Sequence, residues 1–380
     1  MSKSTDGLIL AVNSGSSSLK FGVFTKKSGD EFAVFQGGAD GIGRHDGRLT
    51  LLDENGAVLV NETRACATQQ EALQAILGVL KQHGVPSPAA IGHRVVHGGP
   101  HLREHQRITP ALLQTLESAM HFAPLHIPVE LTLIRETERR LPGAPQFACF
   151  DTAFHATMPE SSARFALPDP LYQKGVLRFG FHGLSYESIV HRLGSNCPPR
   201  VVCAHLGSGA SLVALRDGRS IDTSMGLTPT GGIPMATRSG DIDPGVLIFL
   251  MRNEGLDADA LETLLNHNAG LTALSGGESD TRRLQSAMES GDQRAALAIR
   301  VFAGAVRKYI AAYAAELGGL DLLVFTGGIG EHSQFVRDIV CENLGFMGIT
   351  AANIKVMPSE EEPQIARQCR RLMRKETRAC

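Results

Sequence analysis

The sequence predicts an α/β protein made of two related domains with a cleft between them, and three observations carry that expectation. At 380 residues the chain exceeds what one ordinary hydrophobic core organises. Its opening stretch, Leu8–Phe24 (LILAVNSGSSSLKFGVF), reads as an apolar strand, a Gly/Ser turn and a returning strand. The pattern returns at Val201: AVNSGSSSLKF (11–21) and AHLGSGASLVA (204–214) match at Ala11/Ala204, Ser18/Ser211 and Leu19/Leu212, which suggests a duplicated domain. Residues 1–152 are expected to form the first domain, completed by a C-terminal helix at about 366–380, and residues 153–365 the second.

Composition narrows the function classes. A hydrophobic fraction of 43% with 20% charged residues is that of a globular protein, and a formal charge of −2 gives no reason to expect nucleic acid or a membrane as partner. No apolar run is long enough to span a bilayer and the N-terminus shows no signal-peptide pattern, so a cytoplasmic location is expected. The seven cysteines (66, 149, 197, 203, 341, 369 and 380) have no C-x-x-C spacing and sit mostly in apolar runs, which points to reduced, buried thiols. The basic tail from Arg367 to Arg378 reads as one solvated helix face.

The elements follow in order. In the opening turn Gly15 and three serines let backbone N–H groups approach an anion, Lys20 adds a positive charge, and the Asn13 amide oxygen suits a hydrated Mg²⁺; an ordinary polar hairpin is the alternative. Residues 32–60 read as short strands between turns at Asp40-Gly41, Asp46-Gly47 and Asn55-Gly56. The spacing of Ala72, Leu73, Ile76, Leu77 and Leu80 predicts a helix over Gln69–His83, with its exit at Pro86 and Pro88. In IGHRVVHGG (91–99) a short strand carries Arg94 into a His-Gly-Gly turn, as a fork for a carboxylate or phosphate or as a surface ion pair. Thr109 and Pro110 mark the N-cap and first position of a helix to Met120, and Val129–Arg140 forms another. QFACFDTAFHATMP (146–159) ends a buried strand on Asp151, where an unpaired carboxylate is costly, so a catalytic or Mg²⁺-associated role competes with a packing one. Glycines around His182 in GFHG leave that side chain reachable, ahead of a helix over Leu184–Leu193.

In the second half, Asp222–Gly245 has little room for regular structure, and a loop this long is usually functional. Its Arg238 is the cation expected on a transferring phosphoryl group, unless Asp241 or Asp243 neutralises it. Helices are predicted over Val246–Arg252, Ala258–Leu265, Thr281–Met288 and Gln293–Leu317. LDLLVFTGGIG (320–330) reads as a buried strand entering a Gly-rich turn before a helix over Ser333–Leu344, a pattern suited to nucleotide contact. The Rossmann and P-loop spacings are absent, which disfavours those folds. If the duplication holds, a nucleotide would lie between the domains with one phosphate loop from each.

Taken together and in this order, AVNSGSSSLKF, GHRVVHGG, APLH, CFDTAFHATMP, GFHG, AHLGSGASL, TPTGGIPMATRSGDIDPG and FTGGIGEHS closely resemble the motifs of the acetate kinase family of short-chain acyl kinases, from Leu8 to about Arg367. The resemblance implies the duplicated, ribonuclease H-like fold shared by sugar kinases, actin and Hsp70 chaperones, with ATP or ADP in the cleft and a homodimer as the assembly. It implies Mg²⁺, or Mn²⁺ in its place, near Asn13 and Glu361 of PSEEEPQIAR, and Lys20 on nucleotide phosphate. Arg94 would be the substrate arginine, with Val96, Leu125, His126, Phe181 and Pro229 around the acyl group. Asp151 would be the essential aspartate, and His182 and Arg238 the groups that stabilise the transition state. His205, Leu206, Gly207, Ser208 and Gly209 would face the phosphates, whereas Asp280, Thr281 and Arg282 with Gly328, Ile329, Gly330, Glu331 and His332 would surround the adenosine.

The implied chemistry is direct in-line transfer of the γ-phosphoryl group of ATP to acetate, giving acetyl phosphate and ADP, and its reverse. Propionate is the alternative acid, and a non-catalytic nucleotide switch on the same fold the alternative function. Ser208 departs from the family's usual residue in a loop that keeps its glycines, so phosphate binding is expected to survive; the departures at Thr281 and His332 bear on nucleotide preference, and those at Ile127 and Thr230-Gly231 border the acyl site.

Overall fold

The computed structural model describes residues 7–15 and 17–379. Ser16 of the opening turn, the first six residues and the Cys380 thiol lie outside the described residues. Two compact units divide the chain, Met1–Ala153 with Glu360–Cys380, and Phe154–Ser359. Among the described residues the six cysteines are thiols outside any disulfide and four are buried, and no helix is long and apolar enough to cross a membrane.

In the first unit one mixed sheet holds β1 (Ile9–Ser14), β2 (Ser18–Lys27), β3 (Asp30–Asp40), β4 (Arg48–Asp53), β5 (Val58–Thr63), β6 (Ala90–Val95), β7 (Gln106–Arg107) and β8 (Gln146–Phe150). Their order is β5-β4-β3-β2-β1-β6-β8-β7. Every residue of β1 is buried, because it lies between β2 and β6 and both faces of the sheet are covered. Leu10, Val12 and Ile91 share a core with Ala72, Leu73, Ile76 and Leu80 of the helix Gln69–Gln82. Strand alternation turns Gly92 to the opposite face, where a Cβ would sit 2.4 Å from Ile365 Cγ2 and 2.5 Å from Cys369 Sγ of the helix Glu361–Ala379. The Thr109 hydroxyl accepts from the Leu112 N–H at 3.2 Å and caps the helix Pro110–Ser118, as the Thr-Pro pair predicts. Asp40-Gly41 and Asp46-Gly47 bound a single loop between β3 and β4 rather than two turns, since no strand forms between them.

The second unit's sheet, β9 (Arg200–Leu206), β10 (Ala210–Arg216), β11 (Arg219–Thr223), β12 (Leu322–Thr326) and β13 (Ile354–Val356), has the order β11-β10-β9-β12-β13. It repeats β3-β2-β1-β6-β8: two antiparallel pairings on one side of the first strand, two parallel ones on the other. The duplication is thus one of topology, and the matched letters overstate it. Asn13 pairs with Lys20 across the first hairpin, whereas Leu206, its ungapped counterpart, pairs with Ala210 rather than Val213. The tighter second turn takes Ser18/Ser211 and Leu19/Leu212 out of register with Ala11/Ala204.

No strand or helix forms between Thr223 and Pro244, as the long-loop reading expects. The loop is pinned at Gly270 (φ +63°), whose Cβ would meet Met235 O at 2.1 Å and Arg238 O at 2.6 Å. GGIGEH (327–332) is a short helix, not a turn: Glu331, five positions into the motif, accepts the Gly327 N–H and closes it.

The basic tail is not simply a solvated face. In the helix Glu361–Ala379, Ile365, Ala366, Cys369 and Met373 are buried at helical spacing. Arg370 goes in with them, pairing through Nε with both Glu31 oxygens (2.7 and 2.9 Å) and donating to Gly7 O and Phe24 O. Both side chains of this pair are 4% exposed. Removing one member leaves a buried charge uncompensated, so Arg370→Ala is expected to cost about 3–5 kcal/mol in urea unfolding. A loss below about 1 kcal/mol would show that apolar contacts alone dock the helix.

Candidate functional site

In the first unit, two parallel strands end side by side. β6 carries Arg94, and Asp151 follows β8 directly, its N–H donating to Val95 O at 3.0 Å. Arg94 donates to Asp151 Oδ2 from Nε (2.9 Å) and Nη2 (2.5 Å), and from Nη1 to Ser14 O (3.0 Å) and Asn13 Oδ1 (3.4 Å). One Nη2 hydrogen of the guanidinium remains for another acceptor. Burial disfavours the charged guanidinium, but the Asp151 and Glu361 carboxylates outweigh it and hold Arg94 cationic. Burial likewise raises the Asp151 carboxyl against the pull of Arg94. Its second oxygen, Oδ1, is buried and has no hydrogen-bond partner among the described residues.

The same cluster gathers the start of the last helix. Asn13 Nδ2 donates to Glu361 Oε2 (2.9 Å) and to Glu362 Oε1 (2.8 Å). Burial pushes the Glu362 carboxyl up and Glu361 adds to that, with Asn13 and Lys20 opposing. Two acids sharing one amide, near a carboxylate oxygen with no hydrogen-bond partner among the described residues, offer hard oxygen donors, which fits Mg²⁺. Among the described residues no group of three or more His, Cys, Asp or Glu side chains forms a complete metal cage. That too suits an ion which takes one or two carboxylates and completes its shell with water and phosphate.

Glu130 was not anticipated. It lies in the apolar stripe Ile127–Leu131–Ile134 of the helix Ile127–Arg140, and its Oε1 accepts the Val96 N–H at 2.9 Å. Burial pushes its carboxyl up to about 8, and its Oε2 has no partner among the described residues. An acid at a buried helix position was the available signal. Of the residues expected around the acyl group, Val96 is buried, Leu125 is 49% exposed, and His126 immediately precedes this helix.

In the second unit, His182 occupies the left-handed region (φ 59°) as N-cap of the helix Gly183–Leu193, an outlier that packing must enforce. Its ring stacks on His205 with centroids 4.3 Å apart. A Cβ on Gly209 would lie 3.4 Å from His182 Nε2 and 3.7 Å from Arg238 Nη1, so imidazole and guanidinium converge on the tip of the loop Gly207–Gly209. Arg238 also donates to Pro229 O at 3.3 Å. Asp243 caps the helix Pro244–Asn253 and Asp241 accepts from Gly232 N–H and Tyr309. His205 Nδ1 meets Ser185 Oγ at 2.9 Å, while the Leu206 and Phe181 side chains are buried in the core.

Beside this loop a cavity of about 640 Å³ is lined by Gly207, Ser208, Asp280, Thr281, Arg282, Gly328, Ile329 and His332, together with Gln285 and Phe335, which sequence reasoning missed. Its size is that of a nucleotide-class ligand pocket. Asp280 caps the helix Thr281–Glu289 and is held down to about 2 by the exposed Arg282. Gly330 and Glu331 do not line the cavity. Gly330 is buried inside the short helix, and Glu331 Oε1 is taken by the Gly327 and Ser359 N–H groups.

A cation-seeking acidic cluster and a nucleotide-sized cavity edged by a glycine loop define a nucleotide-dependent phosphotransferase. The profile of the Acetokinase family matches residues 8–368. The acetate kinase of Parabacteroides distasonis is 41% identical over 353 residues, covering 90% of this chain and 88% of that protein. Among solved structures, Porphyromonas gingivalis acetate kinase aligns with a TM-score of 0.84 at 37% identity, over 96% of this chain and 99% of that one. A propionate kinase from Francisella tularensis aligns with a TM-score of 0.86 at 33% identity, over 95% and 98%. The chain belongs to the acetokinase family.

Glu130 supplies a pH test. Its folded value of about 8 lies above the unfolded carboxylate value near 4.3, so the folded state holds the extra proton. That contribution to stability is complete below about pH 4 and is lost as pH rises through about 8. Relative to Glu130→Gln, the wild-type protein should therefore lose unfolding free energy between about pH 5 and 9. Parallel stability curves for the two proteins would assign the titration elsewhere.

Proposed function

We propose that the chain is an acetate kinase that transfers the γ-phosphoryl group of ATP to acetate and catalyses the reverse. The observation that carries this reading is the Arg94–Asp151 pair: a nucleotide switch needs phosphate loops, but it has no use for a buried cation aimed by a carboxylate at the ends of two strands. An acetate oxygen attacks the γ-phosphorus in line and the bond to the β,γ-bridging oxygen breaks, leaving ADP with the electron pair. Acetate is already ionised at neutral pH, so no base is required. Asp151 instead orients Arg94, whose remaining Nη2 hydrogen is available to the substrate carboxylate. Arg238 and His182, converging on Gly209, serve the equatorial phosphoryl oxygens, and the cavity of the second unit takes the adenosine.

Asn13, Glu361, Glu362 and the unpartnered oxygen of Asp151 would hold Mg²⁺. When bound, that ion neutralises phosphate charge. Propionate remains the second reading, supported by the propionate kinase likeness and by the small discrimination, about 1–3 kcal/mol, that one methylene allows. A second copy of the chain is the proposed partner. The helix Pro244–Asn253 has no buried residue and exposes Val246, Ile248, Phe249 and Met251 around its circumference, apolar surface suited to self-association. A cytoplasmic setting accords with the free cysteines.

Trapping acyl phosphate as hydroxamate, with Mg²⁺, ATP and separately acetate or propionate, tests the reading. Product is expected with acetate, reduced about 10³-fold or more in Arg238→Ala. Asp151→Asn should lower kcat/KM by about 10²-fold through misplacement of Arg94. Nucleotide binding without product from either acid would refute the proposal.

A further inference from the structure

His182 and Tyr186 stand one turn apart on the same face of the helix that His182 caps, and Ser211 of β10 lies against both. The Ser211 hydroxyl oxygen is 2.9 Å from His182 Nδ1 and 2.6 Å from the Tyr186 hydroxyl. Ser211 and Tyr186 are both fully buried. We propose that Tyr186 and Ser211 are positioning residues that lock His182 as the neutral tautomer protonated on Nε2, so that it presents a fixed N–H donor to the transferring phosphoryl group. This rests on the role given to His182 above.

The wiring follows from counting hydrogens. Burial pushes the Tyr186 phenol well above its ordinary range, so it stays protonated. The phenol hydrogen must then go to Ser211 Oγ, its hydroxyl partner among the described residues. Ser211 Oγ has no other hydrogen-bond partner among the described residues, so its own hydrogen goes to His182 Nδ1; accepting from an Nδ1–H as well would leave that buried hydrogen without an acceptor. That nitrogen is an acceptor, and the ring proton resides on Nε2, the atom turned toward Gly209. In the reverse wiring Nδ1–H donates to Ser211, Ser211 donates to Tyr186, and the phenol hydrogen is orphaned in the core, a costly defect. Stacking on His205 works in the same direction, since two imidazolium rings at that separation repel. The backbone outlier at His182 completes the arrangement by fixing where the ring starts.

Long-range ¹H–¹⁵N spectra of the wild-type protein are expected to show His182 with a protonated Nε2 and a bare Nδ1 at neutral pH. Tyr186→Phe removes only the hydroxyl. It should mix the two tautomers and lower kcat about tenfold, with KM for ATP and acetate unchanged. Ser211→Ala should lower kcat further, by about 10²-fold, again without a KM change, while circular dichroism and the urea midpoint report the fold. A wild-type Nδ1–H tautomer, or an unaltered tautomer and kcat in Tyr186→Phe, would overturn the relay even if Ser211→Ala failed to fold. His182→Ala separates the two layers. If it retains full activity, the role of His182 itself fails; if it is inactive while both relay variants match wild type, only the relay fails.

Discussion

A charge taken out of water must be met by an opposite charge or a dense set of hydrogen bonds, and the first unit is arranged around that requirement. Parallel pairing of β6 with β8 brings Arg94 and Asp151 to the same end of the sheet. The carboxyl ends of parallel strands are the usual place for chemistry in an α/β sheet. The fork between the two side chains then settles everything near it. It uses up most of the donors of Arg94, recruits Asn13 and the Ser14 carbonyl, and leaves one oxygen of Asp151 without a hydrogen-bond partner among the described residues.

Much of this was legible in the chain. The apolar–Gly/Ser–apolar run at Leu8–Phe24 gave the central hairpin, the Thr-Pro pair at 109–110 gave a capped helix, and the absence of periodicity over Asp222–Gly245 gave a loop, because each depends on local chemistry alone. Arg94, Asp151, Asn13 and Glu361 were legible as motif residues and meet in one place.

What the chain hid is tertiary in origin. Glu130 looks like an ordinary helix acid until the Val96 N–H is seen on it, and Arg370 looks like one more tail charge until Glu31 is found beneath it. The hydrogen bonds of Ser211 and Tyr186 join residues 25 positions apart, beyond any pattern read along one strand or helix. The short helix at Gly327 was misread as a turn because glycines announce flexibility, whereas the carboxylate that closes it comes from within the motif itself.

The helix Glu361–Ala379 belongs to the first unit although the whole of the second separates it from the rest in sequence. On the ribosome, the strands of the first unit therefore emerge with one face of β1 and β6 uncovered, and they wait through the synthesis of some two hundred residues before Ile365 and Cys369 arrive to cover it. Glu361 and Glu362 come on that same helix. A nascent chain thus cannot assemble the acidic cluster before the second unit has been made, and a prematurely released fragment would carry Arg94 and Asp151 without Glu361 and Glu362.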